Sequence, residues 1–158
     1  MLKRIILSVA MVSLLATGCA KTAEAATHQL SVGYQNNDVT DQDGVVLDAG
    51  LLLDNNVLLG LNTQFEDATI HSYGASVGTP ILVKGTPFTL TPSVGIDHYR
   101  EDSQRGFDSG TAGNVAIRAA YPIDTKTSVY TQAKYSKEFS NNDDLEGGTY
   151  AIGITRHF

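Results

Sequence analysis

Residues 88–97 read Phe88-Thr89-Leu90-Thr91-Pro92-Ser93-Val94-Gly95-Ile96-Asp97, and their apolar members fall on every second position. Phe88, Leu90, Val94 and Ile96 share one face with Pro92, while Thr89, Thr91, Ser93, Gly95 and Asp97 share the other. A period of two marks an extended strand, whose side chains point alternately to opposite sides of a sheet; a helix would repeat near 3.6. Pro92 lacks the amide hydrogen a ladder needs, so it predicts a local irregularity in this strand.

The same period governs the chain on both sides. Leu30, Val32 and Tyr34 alternate with Ser31, Gly33 and Gln35, and Tyr150, Ile152, Ile154 and Phe158 alternate with Ala151, Gly153, Thr155 and His157. Further alternating segments run over 44–53, 57–65, 72–83, 111–121 and 127–136. That makes eight strands of roughly 9–12 residues, the length a tilted strand needs to cross a bilayer. Short connections are expected at 54–56, 84–87 and 122–126, and longer polar ones at 36–43, 66–71, 99–110 and 137–147. Short turns at one end and long loops at the other predict an all-β fold, an eight-stranded antiparallel up-and-down transmembrane β-barrel with both termini on the periplasmic side.

Alternation alone does not separate this barrel from a soluble one with its faces inverted, a periplasmic lipocalin-like carrier. The kind of polar residue does. A water-facing surface would be rich in Lys and Glu, whereas here the polar face is Ser31, Gly33, Gly50, Gly60, Asn62, Ser72, Gly74, Ser76 and similar small residues. Those suit the narrow interior of eight strands, which side chains just fill. Only Asp48, Asp97, Arg118 and Lys134 carry charge on that face. They are expected to pair inside the barrel, since an uncompensated buried charge is costly. Tyr34, Phe65, Tyr73, Tyr135 and Tyr150 fall at the long-loop ends of the outward face, and Phe88, Tyr121 and Phe158 at the short-turn ends. Two aromatic girdles around an aliphatic band are what the two membrane interfaces call for. Arg156 breaks the outward apolar pattern, two residues from the end, where its head can snorkel.

The chain has 158 residues, which allows one domain, with 18% charged residues and a formal charge of −6. Residues 1–25 read as a signal peptide: Lys3 and Arg4 precede an apolar run over Ile5–Leu15, too short to span a bilayer as a helix, and small residues follow. Ala23-Glu24-Ala25 fits ordinary cleavage, leaving 26–158 as the barrel. Ala16-Thr17-Gly18-Cys19 is a lipobox-like alternative that makes Cys19, the one cysteine of the chain, a candidate lipidation site. One cysteine also excludes a disulfide framework and a cysteine-clustered zinc site.

The terminal run Tyr150-Ala-Ile-Gly-Ile-Thr-Arg-His-Phe158 resembles the end of bacterial outer-membrane β-barrel proteins. The resemblance implies that Tyr150, Ile152, Ile154 and Phe158 form the signal read by the barrel-assembly machinery, with Arg156 a departure from its apolar pattern. In size and layout the chain is similar to the small eight-stranded group of the outer-membrane protein X and attachment-invasion type. That group implies a location in the cell outer membrane and a role in adhesion, resistance or stress, with no catalytic residues to carry over.

Of the sixteen acidic residues from residue 26 onward, twelve fall in the four long connections: Asp38, Asp41, Asp43, Glu66, Asp67, Glu101, Asp102, Asp108, Glu138, Asp143, Asp144 and Glu146. Arg100, Arg105 and Lys137 are the only cations there. Solvation of exposed loops explains the excess; divalent cations bridging them to lipopolysaccharide is the sharper reading, although Asp41-Gln42-Asp43-Gly44 lacks the rest of an EF-hand loop. The acidity argues against a nucleic-acid partner. Ser72, Asp97 and His98 are the one catalytic set worth testing, with His71 nearby, and His28 and His157 read as interface residues; chance explains such common residues at a rim. The expected protein is therefore a monomeric, non-catalytic barrel without a cofactor or metal site, embedded in outer-membrane lipid and lipopolysaccharide, with an envelope-structural or surface-interaction role through its loops. The alternative is a narrow small-solute, porin-like channel, although eight strands normally leave no open pore.

Overall fold

A computed structural model describes residues 27–39, 42–66, 69–100, 109–139 and 146–158, side chains at 42, 66 and 69–71 apart. The elements in chain order are β1 (Thr27–Asn37), β2 (Gln42–Leu52), β3 (Leu58–Glu66), β4 (Thr69–Gly78), β5 (Ile81–Leu82), β6 (Thr89–Tyr99), β7 (Gly110–Pro122), β8 (Thr127–Glu138) and β9 (Gly147–His157). Each long strand pairs antiparallel with its neighbours. β4 pairs directly with β6, and β1 pairs with β9 from Gln29↔His157 to Asn37↔Thr149, so eight strands close into a barrel. Among the described residues, closure gives each of the eight long strands a partner on both sides, the condition for placing strands in hydrocarbon. No helix among the described residues is long and apolar enough to cross a membrane, which says nothing against strands doing so.

The expected strand at 72–83 is divided. β4 ends at Gly78, and β5 resumes two residues on as a short arm paired with Leu90 and Thr89 of β6. The break falls where Pro80 and Pro92 occur, and neither has an amide hydrogen to give; Thr79 N–H still donates to Pro92 O at 3.1 Å. Pro92 itself stays within β6, paired across from Ile117. The strands also run further into two connections than the sequence suggests: β1 and β2 leave only 38–41 of the expected loop 36–43, and β3 and β4 leave only 67–68 of 66–71. Polar residues at the loop end are compatible with strands because backbone pairing continues beyond the apolar belt. Asn56 at φ 61° and Gly85 at φ 81° make the left-handed positions of two turns at the other end, residue types that tolerate them.

The faces are polar inside and apolar outside, which rules out the inverted, lipocalin-like alternative. Val32, Leu61, Val94, Val115 and Ile152 are 43–65% exposed, while Ser31, Gln35, Gln64, Ser72, Asp97, Ser136 and Thr149 are at most 5% exposed. A water-soluble protein would reverse this; the belt is a lipid-facing surface. At the short-turn end Phe88, Tyr121 and Phe158 are exposed, with the Phe88 and Tyr121 rings 5.1 Å apart. At the loop end Tyr34, Tyr73, Tyr135 and Tyr150 are exposed as expected, but Phe65 is only 9% exposed. The β3–β4 register shifts between Gln64 and Phe65, and such an irregularity re-aims the residues that follow it.

Candidate functional site

The lumen is filled by side chains that converge from all eight long strands. Nearest the loop end, Val39 folds in after β1 and packs with Tyr99 and Ala112 as a small apolar cap. Beneath it Asn37, Gln35 and Gln64 form a hydrogen-bonded layer. Gln64 Oε1 accepts from Gln35 Nε2 at 2.8 Å and from Asn37 Nδ2 at 3.3 Å, and Thr149 Oγ1 donates to Asn37 Oδ1 at 3.1 Å.

Two ion pairs lie deeper. Lys134 Nζ donates to Asp97 Oδ2 at 2.7 Å, with side chains 7% and 0% exposed. The carboxylate also accepts from Asn114 Nδ2 at 2.9 Å and Asn62 Nδ2 at 3.3 Å, so three of its lone pairs are used. Gly74 is opposite Asp97 in the β4–β6 ladder; a Cβ there would strike the Asp97 carboxylate, which explains the glycine. The second pair is Arg118 Nη2 to Asp48 Oδ2 at 2.5 Å, with Arg118 Nε donating to Gln132 Oε1 at 2.8 Å. The four charged residues singled out in the sequence thus stand as two pairs in separate layers, and a cavity of about 70 Å³ lies between them.

Sequence reasoning missed Tyr130. Its ring points inward, is 2% exposed, and lies under the Arg118 guanidinium at 4.2 Å. Gly33 and Gly153 make room for it, since a Cβ on either would meet the ring or its hydroxyl. The signal was present: Tyr130 shares strand parity with Ser128, Gln132 and Lys134, and two glycines on facing strands mark where a large side chain must fit.

The catalytic set does not assemble. Asp97 and Ser72 are buried on the inner face, whereas His98, adjacent in the chain, lies on the outer face against Tyr73, with Nδ1 3.0 Å from Thr111 Oγ1. Strand alternation puts consecutive residues on opposite sides of the wall, so Asp97 cannot orient His98. His71 lies outside the described side chains, and no cluster among the described residues could hold a metal ion.

Tyr150, Ile152, Ile154 and Phe158 lie side by side on the outer face, 49–65% exposed. Arg156 shares that face, where Nη1 donates to Thr127 Oγ1 and lies 3.8 Å from Asp124 Oδ1. The backbone amide of Lys126 and the hydroxyl of Thr127 donate to Asp124 and hold its carboxyl below the usual range. Most loop acids, together with Cys19 and residues 1–25, lie outside the described residues. Of those described, Glu146 accepts from Tyr135 Oη and pairs with Lys137 Nζ at 2.9 Å, which lowers its pKa.

No protein-family model and no curated protein matches the chain. Solved structures do. The N-terminal β-barrel domain of Pseudomonas aeruginosa OprF is 12% identical, over 84% of this chain and 97% of that one, with a TM-score of 0.67. A major outer membrane protein of Thermus thermophilus is 13% identical, over 85% and 100%, with a TM-score of 0.60. The attachment invasion locus protein Ail of Yersinia pestis, in complex with the heparin analogue sucrose octasulfate, is 16% identical, over 84% and 99%, with a TM-score of 0.57. At such identities the likeness defines the fold: this chain has the architecture of the small bacterial outer-membrane β-barrels.

Proposed function

We propose that the protein is a non-catalytic, monomeric outer-membrane barrel that works at the cell surface through its acidic loop end, as an envelope-structural or surface-interaction protein. The observation that carries this reading is the pairing of a lipid-facing apolar belt with a lumen closed by two ion-paired layers and an apolar cap. A wall built for lipid and a lumen closed at mid-height leave the loop end as the surface open to partners outside the cell. Tyr150, Ile152, Ile154 and Phe158 are the expected contact for the barrel-assembly machinery, and lipopolysaccharide bridged by divalent cations is the expected neighbour of the acidic loops. Ail was solved with a sulfated ligand; the acid-rich loops here favour cations instead.

The test has two parts. Unboiled outer-membrane fractions run in SDS should show a compact band that shifts on boiling; a soluble, non-shifting protein would refute the barrel's location. In membranes containing lipopolysaccharide, millimolar Ca²⁺ should raise the thermal midpoint of that shift. No change would remove the bridging role. Planar-bilayer recording addresses the channel alternative, which requires both ion pairs to part; a silent bilayer is expected.

A further inference from the structure

We infer that the short-turn mouth of the barrel is a binding site for a small anionic amphiphile, its apolar body held by the mouth and its anionic head by Arg118. Below the Arg118 layer the lumen widens into a vestibule of about 350 Å³, five times the inner cavity and within the range of small-molecule sites. Its walls are largely apolar, with Leu52 and Leu58 facing Ala120 and Pro122, and Leu82 and Pro80 extending one side. That extension is the β5 arm, a piece of wall that no other hairpin supplies among the described residues, and Asn56 Nδ2 ties it to the neighbouring turn by donating to Pro80 O at 2.7 Å.

Charge decides the occupant. Among the described residues, Arg118 and His157 are the titratable ones lining the vestibule, and no carboxylate lines it. Arg118 borders both cavities, but its counter-ion Asp48 borders only the inner one. Arg118 is therefore the charged residue the two cavities share, and its counter-ion stands on the inner side alone. A guanidinium has five N–H donors, and the bonds to Gln132, Asp48 and Ser31 take three of them. A carboxylate entering along the apolar wall finds a cation with donors to spare, and the apolar body that follows displaces water from Leu58, Leu82 and Ala120. A cationic amphiphile finds no carboxylate to pair with, and an uncharged one gains only the wall. The inference does not depend on what the loops do.

The probe is octanoate, titrated into the full mature chain in lipid nanodiscs and followed by NMR. Signals of Leu58, Leu82 and Ala120 should shift to saturation, while those of the lipid-facing Leu61 and Ile117 stay put. Octanol should bind at least about tenfold more weakly, as loss of a charge-assisted hydrogen bond requires. The paired variant Asp48→Asn with Arg118→Gln, which keeps the lumen neutral, should erase that preference, and Ala120→Phe should abolish the shifts while the boiling-dependent band persists. Shifts that never saturate and touch Leu61 equally would mean partition into the bilayer alone and overturn the site. Equal affinity for octanol, or a preference that survives loss of Arg118, would overturn the role of the guanidinium; the comparison on the unmodified protein decides even where a variant fails to fold.

Discussion

Substituting Asp97 by Asn tests how the interior is held. The Lys134–Asp97 contact of 2.7 Å corresponds to roughly 6 kcal/mol of attraction at an effective dielectric of about 20. Both side chains are buried, so most of that attraction offsets the cost of removing two charges from water, and the pair as a whole adds little net stability. Removing one partner is different. Asp97→Asn leaves the Lys134 ammonium without its counter-ion, and only one oxygen remains for the amides of Asn62 and Asn114. The expected loss is about 3–5 kcal/mol, the range for breaking a buried pair from one side. Lys134→Met alone should cost a similar amount, because it leaves the carboxylate uncompensated. Combining Asp97→Asn with Lys134→Met removes both charges and should cost less than either single change. The assay is urea unfolding in detergent micelles followed by far-ultraviolet circular dichroism, since the chain has no tryptophan. Single and double variants whose losses simply add would refute the argument, because the coupling energy would then be absent.

Three further outcomes follow from other parts of the barrel. On the lipid face, Leu61→Arg or Val94→Arg should cost about 2–4 kcal/mol, the usual penalty for a charge near the bilayer midplane; wild-type stability in both, by the same urea assay, would contradict the face assignment. Gly33→Ala puts a methyl against the Tyr130 hydroxyl and 2.9 Å from Ile152 O, and should destabilise by about 1–3 kcal/mol, as overpacking does. Tyr130→Phe should recover part of that loss, since the Tyr130 hydroxyl has no hydrogen-bond partner to lose. Glu146 has a folded pKa below its ordinary 4.5 because Tyr135 and Lys137 favour the carboxylate. Its contribution is therefore present in full above the ordinary value and lost as pH falls through the lowered one, so the protection of the Gly147 and Gly148 amides, taken against the intrinsic exchange rate at each pH, should fall under acid in the wild type and not in Glu146→Gln.

The exterior and the interior differ in how far sequence could define them. An outward residue answers to lipid, a uniform solvent, so Val32, Val94 and Ile152 announce their orientation by hydropathy and parity alone. An inward residue answers to particular atoms across the lumen. Asp97 meets Lys134 because β6 and β8 both pair with β7 in one register, and nothing local to either strand fixes that meeting. The same limit applies to Tyr130, whose hydropathy suits the lipid interface but whose parity and glycine neighbours place it inside. The divided strand at 79–80 was half legible: two prolines warn of a break, and only the closed ladder shows that they fall in the same place.

The period of two, the count of eight long strands and the face that meets lipid were legible along the chain, because these follow from the geometry of a single strand and the character of its solvent. How the four lumenal charges divide into two pairs, that Val39, Tyr99 and Ala112 cap one end, and that an apolar vestibule under Arg118 opens at the other, came into view with the closed barrel. Those depend on strand register around a closed barrel, which brings residues far apart in the chain within hydrogen-bond distance.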